Sequence, residues 1–189
     1  MNAPIDITSV VLKTDRLILR PWKESDLQDF YAYASVDGVG QMAGWLPHKD
    51  RNETRRILDM FMREKKTFAL VRDGRVIGSL GIDLYNEKDY PQFDNLTGRE
   101  LGYVLAKDQW GQGLMPEAVD AVVRYLFETE QLDFLICGHF THNARSRRVI
   151  EKSGFRFIKT CAFTTEYGTV LDSHEYIRYN PRSIEKGTV

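Results

Sequence analysis

A glycine-containing turn between a predicted strand and a predicted helix is the first feature of this sequence that can bind a ligand. The segment from Leu105 to Ala118 reads LAKDQWGQGLMPEA, with Gly111 and Gly113 in the turn and Pro116 where a first helical turn begins. Such a turn presents unpaired backbone N–H groups beside the positive end of a helix dipole, and these groups suit phosphate oxygens. The spacing alone leaves two interpretations open, an anion site and a plain connection.

Two common phosphate motifs do not fit this turn. No Lys-Ser or Lys-Thr pair follows the glycines, so the turn is not a nucleoside-triphosphate P-loop. The third glycine of a dinucleotide fingerprint, G-x-G-x-x-G, is replaced by Pro116, so that motif is absent as well.

The start of a polar helix near residue 143 carries a second candidate set. Asn143 can cap a helix that runs to Lys152 and stops at Gly154, and Ser146 lies in its first turn. Three arginines surround the same end: Arg145, Arg147 and Arg148. The plain alternative is that Asn143 only caps the helix, that Ser146 lies on its apolar stripe, and that the arginines are solvated.

Other chemistries find less support in the sequence. Cys137, His139 and His142 have a Cys-x-His-x-x-His spacing, but no second pair follows and Cys161 is isolated, so we expect no metal site. A serine hydrolase is not indicated either, because the chain contains no G-x-S-x-G motif.

Composition limits the classes of protein further. The 189 residues are 42% hydrophobic and 12% aromatic, which excludes disordered, collagen-like and disulfide-scaffold classes. Lys and Arg number 26 against 27 Asp and Glu, so the net charge of -1 provides no positive field for nucleic acid. The length predicts one domain over residues 1–189. Because the chain has only two cysteines and no apolar run near 18 residues, we expect a cytoplasmic protein with no membrane partner and, from its charge, no nucleic-acid partner.

The elements that must position these residues follow from hydrophobic periodicity and turn signals. Strands are predicted at residues 10–20, 68–72, 75–83, 100–105, 134–140, 155–164 and 170–179. Helices are predicted at residues 27–34, 53–65, 116–130 and 143–152. The order β-α-α-β-β-β-α-β-α-β-β predicts an α/β (α+β) fold with a mixed, mostly antiparallel seven-stranded sheet flanked by four helices. Residues 86–98 are predicted to form a polar loop, and residues 1–9 and 181–189 to be frayed tails.

Five segments in the same order resemble the GNAT superfamily of N-acetyltransferases, and more narrowly its RimJ/RimL-type branch. They are residues 12–22 (LKTDRLILRPW) with Asp26, 76–81 (VIGSLG), 100–105 (ELGYVL), 110–118 (WGQGLMPEA) and 143–155 (NARSRRVIEKSGF). The resemblance covers almost the whole chain and implies a single-domain GNAT-like fold.

The resemblance implies acetyl-coenzyme A (acetyl-CoA) as the acyl donor. It assigns backbone contacts with the pantetheine to Val104 and Leu105. It assigns the remaining cofactor contacts to Trp110, Gly111, Gln112, Gly113, Leu114, Met115, Asn143 and Ser146. The sequence departs from the superfamily's Arg/Gln-x-x-Gly-x-Gly/Ala pattern at Trp110 and Met115, although Trp before the glycine is frequent in this branch.

The reaction implied by the resemblance needs a proton acceptor, because an ammonium group has no lone pair with which to attack a thioester. Glu100 opens the strand beside the cofactor and matches the position where many family members carry the base; the plain alternative is a solvated carboxylate. Ser146 matches a residue near the thioester sulfur and can hydrogen-bond the departing thiolate. Further proton donors are Tyr103, Tyr176 and Tyr179.

The amine acceptor is expected beside the variable parts of the chain. Besides Glu100, we expect Met42, Trp45 and His48 there, with residues 86–98 and 166–174. The branch acetylates N-terminal amines of proteins or small amines, and the sequence does not choose between them. One alternative function stays open: a catalytically silent acyl-CoA-binding sensor or interaction module. The oligomeric state is open as well, and a homodimer is possible, but the sequence does not fix an interface.

Overall fold

The computed structural model of this chain describes residues 1–185 and contains one eight-stranded sheet. The strands are β1 (Leu12–Lys13), β2 (Ile18–Pro21), β3 (Thr67–Arg72), β4 (Arg75–Asp83), β5 (Gly98–Leu105), β6 (Phe134–Phe140), β7 (Arg156–Thr164) and β8 (Val170–Tyr179). The helices are α1 (Leu27–Ala34), α2 (Arg51–Glu64), α3 (Leu114–Glu128), α4 (Ala144–Lys152) and α5 (Pro181–Glu185).

The strand order in the sheet is β1-β2-β3-β4-β5-β6-β8-β7. Every neighbouring pair is antiparallel except β5 and β6, which are parallel and are connected through α3. A parallel pair requires such a crossover, since a tight turn can only return the chain antiparallel. The predicted mixed, mostly antiparallel sheet is therefore confirmed.

The sheet has eight strands instead of the predicted seven because the chain turns within the first predicted strand. The N–H of Thr14 donates to the Leu17 carbonyl at 3.0 Å, and this turn divides residues 10–20 into β1 and β2, which pair with each other. The prediction for the tail from residue 181 was partly wrong, because Pro181–Glu185 forms a short helix; residues 186–189 lie outside the described residues.

The expectation of a frayed segment at residues 1–9 was wrong. Asn2 forms a parallel bridge with Gly98, and Ile7 is buried in the core. The side chain of Arg99 is buried in β5 and needs hydrogen-bond acceptors; its Nε donates to the Ala3 carbonyl at 2.6 Å. The segment is ordered because it supplies this carbonyl and covers the core.

Residues 86–98 form two short 3₁₀ turns instead of a solvated loop. Tyr90, Phe93 and Leu96, three residues apart, are buried with Tyr85 against Phe134 of β6 in a second hydrophobic cluster. The three-residue spacing of these apolar side chains matches the three-residue period of 3₁₀ turns. The segment therefore covers one face of the sheet next to β5 and β6.

Candidate functional site

The parallel pairing of β5 and β6 stops before the two strands end. Paired residues run from Gly98 and Phe134 to Leu101 and Cys137, yet β5 continues to Leu105 and β6 to Phe140. We call the gap between residues 102–105 and residues 138–140 the fork. The fork opens into a cavity of about 530 Å³.

Backbone alternation decides which peptide groups of β5 face the fork. The N–H of Ala106 donates to the Ile77 carbonyl at 2.7 Å, toward β4. In an antiparallel pair such bonds involve every second residue, so the backbone of Val104 also points to β4. The backbone groups of Tyr103 and Leu105 then point away from β4, into the fork. This arrangement corrects the expected backbone role of Val104, whose side chain lines the cavity instead.

The turn after β5 has the geometry of an anion site. Gly111 and Gly113 have φ values of +77° and +76°, and Gly113 caps α3. Within residues 1–185, the backbone N–H groups of residues 111–115 have no acceptor. We call residues 111–115 the amide loop. Because the next residue, Pro116, has no N–H, all unpaired donors of this helix start lie within the amide loop.

Two arginines, one in the turn between β1 and β2 and one at the end of β3, hold the amide loop from outside the cavity. Arg16 donates from Nη1 to the Gln112 carbonyl at 2.8 Å, and Arg72 donates from Nη1 to Gln112 Oε1 at 2.7 Å. Arg16 also forms an ion pair with Glu117 in the first turn of α3, at 2.6 Å. Gln112, which we expected at the cofactor, therefore faces Arg72 and does not line the cavity.

Helix α4 provides cationic side chains to the cavity wall. The cavity is lined there by Arg145, Arg148 and Lys152. The Arg145 guanidinium lies 4.9 Å from the centroid of the Trp110 ring, and Trp110 Nε1 donates to the Leu105 carbonyl at 2.8 Å. Positive side chains and unpaired amides thus border the same cavity, and Arg145 lies beside Trp110 at the start of the amide loop, which suits a polyphosphate ligand.

Asn143 and Ser146 both line the cavity, as expected. Asn143 caps α4 by accepting from the Ser146 N–H at 3.1 Å, and its amide donates to the Met42 carbonyl at 3.3 Å. Ser146 Oγ lies 2.8 Å from the hydroxyl of Tyr103, another residue of the cavity wall. Burial raises the pKa of Tyr103 well above its ordinary value of 10. Tyr176 and Tyr179, the other tyrosines considered, do not line the cavity.

The opposite face of the fork is acidic. Glu100 lines the cavity, and within the described part of the chain its side chain has no hydrogen bond or ion pair. Burial raises the pKa of Glu100 to about 7, with further contributions from the negative charges of Glu175 and Asp83. Both of these carboxylates also line the cavity, and neither was predicted from the sequence.

The structure separates the expected acceptor residues. Met42 lines the cavity together with Phe163 of β7. Trp45 does not, because it folds back onto Gly40, where a Cβ atom would lie 2.1 Å from the indole ring, and onto His48, 5.2 Å away. Trp45 and His48 are therefore packing residues in this fold, which corrects their expected role.

The cysteine and histidines considered as metal ligands are separated. His139 donates from Nδ1 to the Phe140 carbonyl at 2.8 Å, and Cys137 is buried and forms no disulfide with Cys161. Over residues 1–185, no group of three or more His, Cys, Asp or Glu side chains is arranged to hold a metal ion. No helix of the same residues has the length and apolar character needed to cross a membrane.

Comparison with known families decides the classification. A family model described as an acetyltransferase (GNAT) domain matches residues 16–156. The chain belongs to the GNAT acetyltransferase family. Members of this family transfer an acetyl group from acetyl-CoA to an amine, so this GNAT domain is an acyltransferase.

Relatives and solved structures agree with this classification. The chain is 34% identical over 169 residues to the [ribosomal protein uS5]-alanine N-acetyltransferase of Escherichia coli (strain K12), covering 79% of this chain and 80% of that protein. It shares the fold of a GNAT-family acetyltransferase from Bacillus anthracis, with a TM-score of 0.78 and 21% identity; the match covers 90% of this chain and 99% of that chain. The microcin C7 self-immunity acetyltransferase MccE, solved with acetyl-CoA and AMP, has a TM-score of 0.72, 14% identity and coverage of 88% and 93%. The expected resemblance to the RimJ/RimL-type branch is confirmed.

Proposed function

We propose that this chain is an acetyl-CoA-dependent N-acetyltransferase that transfers the acetyl group directly to a primary amine, on a small molecule or at a protein N-terminus. The observation that carries the proposal is the fork, which connects the amide loop at one end with Glu100 at the other. A donor anchored by its phosphates at the amide loop can extend along the fork to the carboxylate.

The residues present fit acetyl-CoA, which supplies the activated acyl group as a thioester when bound. The N–H groups of the amide loop and the cations of α4 suit its phosphates. The backbone groups of Tyr103 and Leu105 that face the fork suit the amides of its pantetheine arm. The Leu105 carbonyl already accepts from Trp110, so the peptide groups of Tyr103 are the free pair.

The cavity contains both a proton acceptor and hydrogen-bond donors of the kind that amine acetylation needs. Glu100, with a pKa raised to about 7, can accept a proton from the acceptor ammonium near neutral pH. The hydroxyls of Ser146 and Tyr103 form one pair at 2.8 Å and can hydrogen-bond the leaving sulfur. Alignment of donor and amine in the fork replaces a covalent enzyme intermediate, so the reaction needs no enzyme nucleophile.

Thiol release from acetyl-CoA tests the proposed function. We expect release above background when the protein is given small primary amines or peptides with free N-termini, and mass spectrometry should find one added acetyl group on the amine. Tight binding of acetyl-CoA with no thiol release in either class would instead support a silent acyl-CoA-binding module. Absence of both binding and release would overturn the proposal.

Removing the Tyr103 hydroxyl should slow turnover without weakening cofactor binding. We expect Tyr103→Phe to lower kcat about 10-fold to 100-fold, because Ser146 Oγ loses its partner at 2.8 Å and the leaving sulfur loses one donor. Steady-state kinetics measure kcat, and calorimetry measures the affinity for acetyl-CoA. Tyr179→Phe, which changes a tyrosine outside the cavity, is the matched control. An unchanged kcat for Tyr103→Phe would exclude this hydroxyl from the reaction.

A further inference from the structure

A second carboxylate, that of Glu175, lies on the same face of the sheet as Glu100, two strands away. Glu100 aligns with Ile136 of β6, and Glu175 of β8 pairs with Gly138, two residues further along β6. Their backbones are two strand spacings apart across the sheet, about 10 Å, and are offset by two residues along the strands, about 7 Å. Gly138, the β6 residue paired with Glu175, has no side chain, and a Cβ atom there would lie 3.9 Å from Glu175 Cγ; both carboxylates line the cavity.

The two carboxylates have different surroundings. Glu175 Oε1 accepts from Cys161 Sγ at 3.2 Å, and Oε2 accepts from the Tyr90 hydroxyl. Lys159 Nζ lies 3.5 Å from the same Oε2. Three donor groups thus surround the Glu175 carboxylate, whereas Glu100 has none within the described residues, and burial raises the pKa of Glu100 to about 7. Two carboxylates with such contrasting environments take different roles.

The surroundings of Glu175 already accommodate an alkylammonium group. Lys159 Nζ lies 4.0 Å from the centroid of the Tyr90 ring as well as next to the Glu175 carboxylate. A carboxylate beside an aromatic face is a favourable environment for such a cation. The Lys159 side chain is one-third exposed, at 33%, so it can move toward solvent when another ammonium group approaches.

We propose that Glu175 determines acceptor specificity by binding the protonated amine at the fork and presenting it to Glu100. This inference rests on the proposed function and names its substrate class: alkylamines that arrive as ammonium ions, in preference to neutral amines or alcohols. An ammonium group has three N–H donors, so it can contact both carboxylates.

The proposed step is balanced. One ammonium proton passes to Glu100, and the nitrogen lone pair forms a bond to the thioester carbonyl carbon. The carbon–sulfur bond breaks, the sulfur keeps the electron pair, and the second N–H proton neutralises the thiolate. Glu100 returns its proton to water.

Other titratable groups near Glu100 do not duplicate Glu175. Asp83 aligns with Glu100 and also has a lysine partner, Lys66 at 3.0 Å, but it belongs to β4 and so lies on the side of β5 away from the fork. Cys137 of β6, Cys161 of β7 and the Tyr90 hydroxyl complete the set, and burial raises the pKa of each, so they are neutral at neutral pH. Glu175 is therefore the carboxylate of this set that an acceptor cation meets across Gly138.

Substitution of Glu175 separates acceptor binding from chemistry. We expect Glu175→Gln to raise KM for an alkylamine about 10-fold to 100-fold, with a smaller change in kcat and no change in KM for acetyl-CoA. The acid limb of kcat/KM against pH should move to lower pH, because Glu100 loses a neighbouring negative charge. Asp172→Asn is the matched control, since Asp172 is an exposed residue of β8 outside the cavity wall. Equal effects of the two variants on the acceptor KM would overturn the inference.

A direct binding measurement keeps this test separate from the test of the proposed function. Carboxyl carbon NMR on the ligand-free protein can follow Glu100 and Glu175 while propylammonium chloride is added, with propanol as the neutral probe. We expect saturable shifts for propylammonium only, a loss of the Glu100 shift in Glu175→Gln, and a partial loss in Tyr90→Phe, which keeps the ring. Shifts that persist in Glu175→Gln would overturn the inference even in an active enzyme. A wild-type protein that binds propylammonium but never transfers acetyl would overturn the proposed function alone.

Discussion

Glu100→Gln should lower kcat/KM for an amine by about 100-fold to 10,000-fold, the range typical for loss of a general base. The amide has nearly the same shape as the carboxylate but cannot accept the ammonium proton. We expect acetyl-CoA affinity to change little, because Glu100 lies away from the amide loop and the cations of α4. Steady-state kinetics and calorimetry measure the two quantities, and Asp172→Asn is again a control for loss of one negative charge. Unchanged kinetics would remove Glu100 from the mechanism.

The pH profile provides a second readout of the same substitution. Glu100 must be ionised to act as a base, and burial raises its pKa to about 7. Wild-type kcat/KM should therefore rise with pH up to about 7 and then level, and Glu100→Gln should lose this limb. If kcat/KM of the variant still rose with pH up to about 7, the rise would have to come from the titration of another group.

Stability should change in the opposite direction from activity. The pKa of Glu100 is about 7 in the folded chain, above its ordinary value of 4.5, so the folded chain binds more protons between these values. The wild-type protein therefore loses stability as pH rises through this window, and the loss is complete above it. At pH 8 we expect Glu100→Gln to be about 1 to 2 kcal/mol more stable to unfolding than the wild type, and the difference should shrink toward pH 4. Denaturant titrations at both pH values measure it.

Filling the fork should abolish cofactor binding. Gly102 is the first residue of β5 beyond the last pair, and a Cβ atom there would lie 3.4 Å from Asp83 Oδ2, an ordinary contact. Gly102→Leu therefore fits the strand but places a branched side chain where the cofactor arm must lie. We expect acetyl-CoA affinity to fall more than about 100-fold, a loss of at least about 2.7 kcal/mol.

A smaller side chain at the same position controls for folding. Gly102→Ala adds one methyl group, and we expect an affinity loss of only a few-fold. Calorimetry with acetyl-CoA measures affinity, and circular dichroism with thermal melting verifies that both variants keep the fold. Wild-type affinity in a folded Gly102→Leu variant would show that acetyl-CoA does not enter the fork.

Local sequence signals predicted the parts of the site that depend on local structure. The turn with Gly111 and Gly113 was identified from its spacing and the helix that follows, and the cap at Asn143 from residue type. Glu175 was not found, because its approach to Glu100 depends on β8 pairing with β6, two non-consecutive strands. The backbone direction at Val104 was assigned incorrectly because it depends on the register between β4 and β5.

The corrected segments show what composition alone misses. Most of residues 86–98 are polar, but apolar side chains stand at every third position, and their burial anchors the segment to the sheet. These side chains are Tyr90, Phe93 and Leu96. Trp45 is in a loop and was assigned to the acceptor, yet a large ring next to Gly40 has space to fold inward. In both cases aromatic residues contribute more burial than their number suggests.

The short pairing between β5 and β6 has a consequence for how fast the protein is degraded in the cell. Strands β1 to β5 and strands β6 to β8 are joined by four residue pairs, and the remaining peptide groups at this boundary face an opening. Acetyl-CoA bound in the fork would contact strands on both sides of this boundary. At a concentration 100 times its Kd, it would stabilise the folded state by about 2.7 kcal/mol. The acetyl-CoA concentration would then set the fraction of unfolded chains that proteases can cleave. A fall in acetyl-CoA would therefore shorten the half-life of the enzyme.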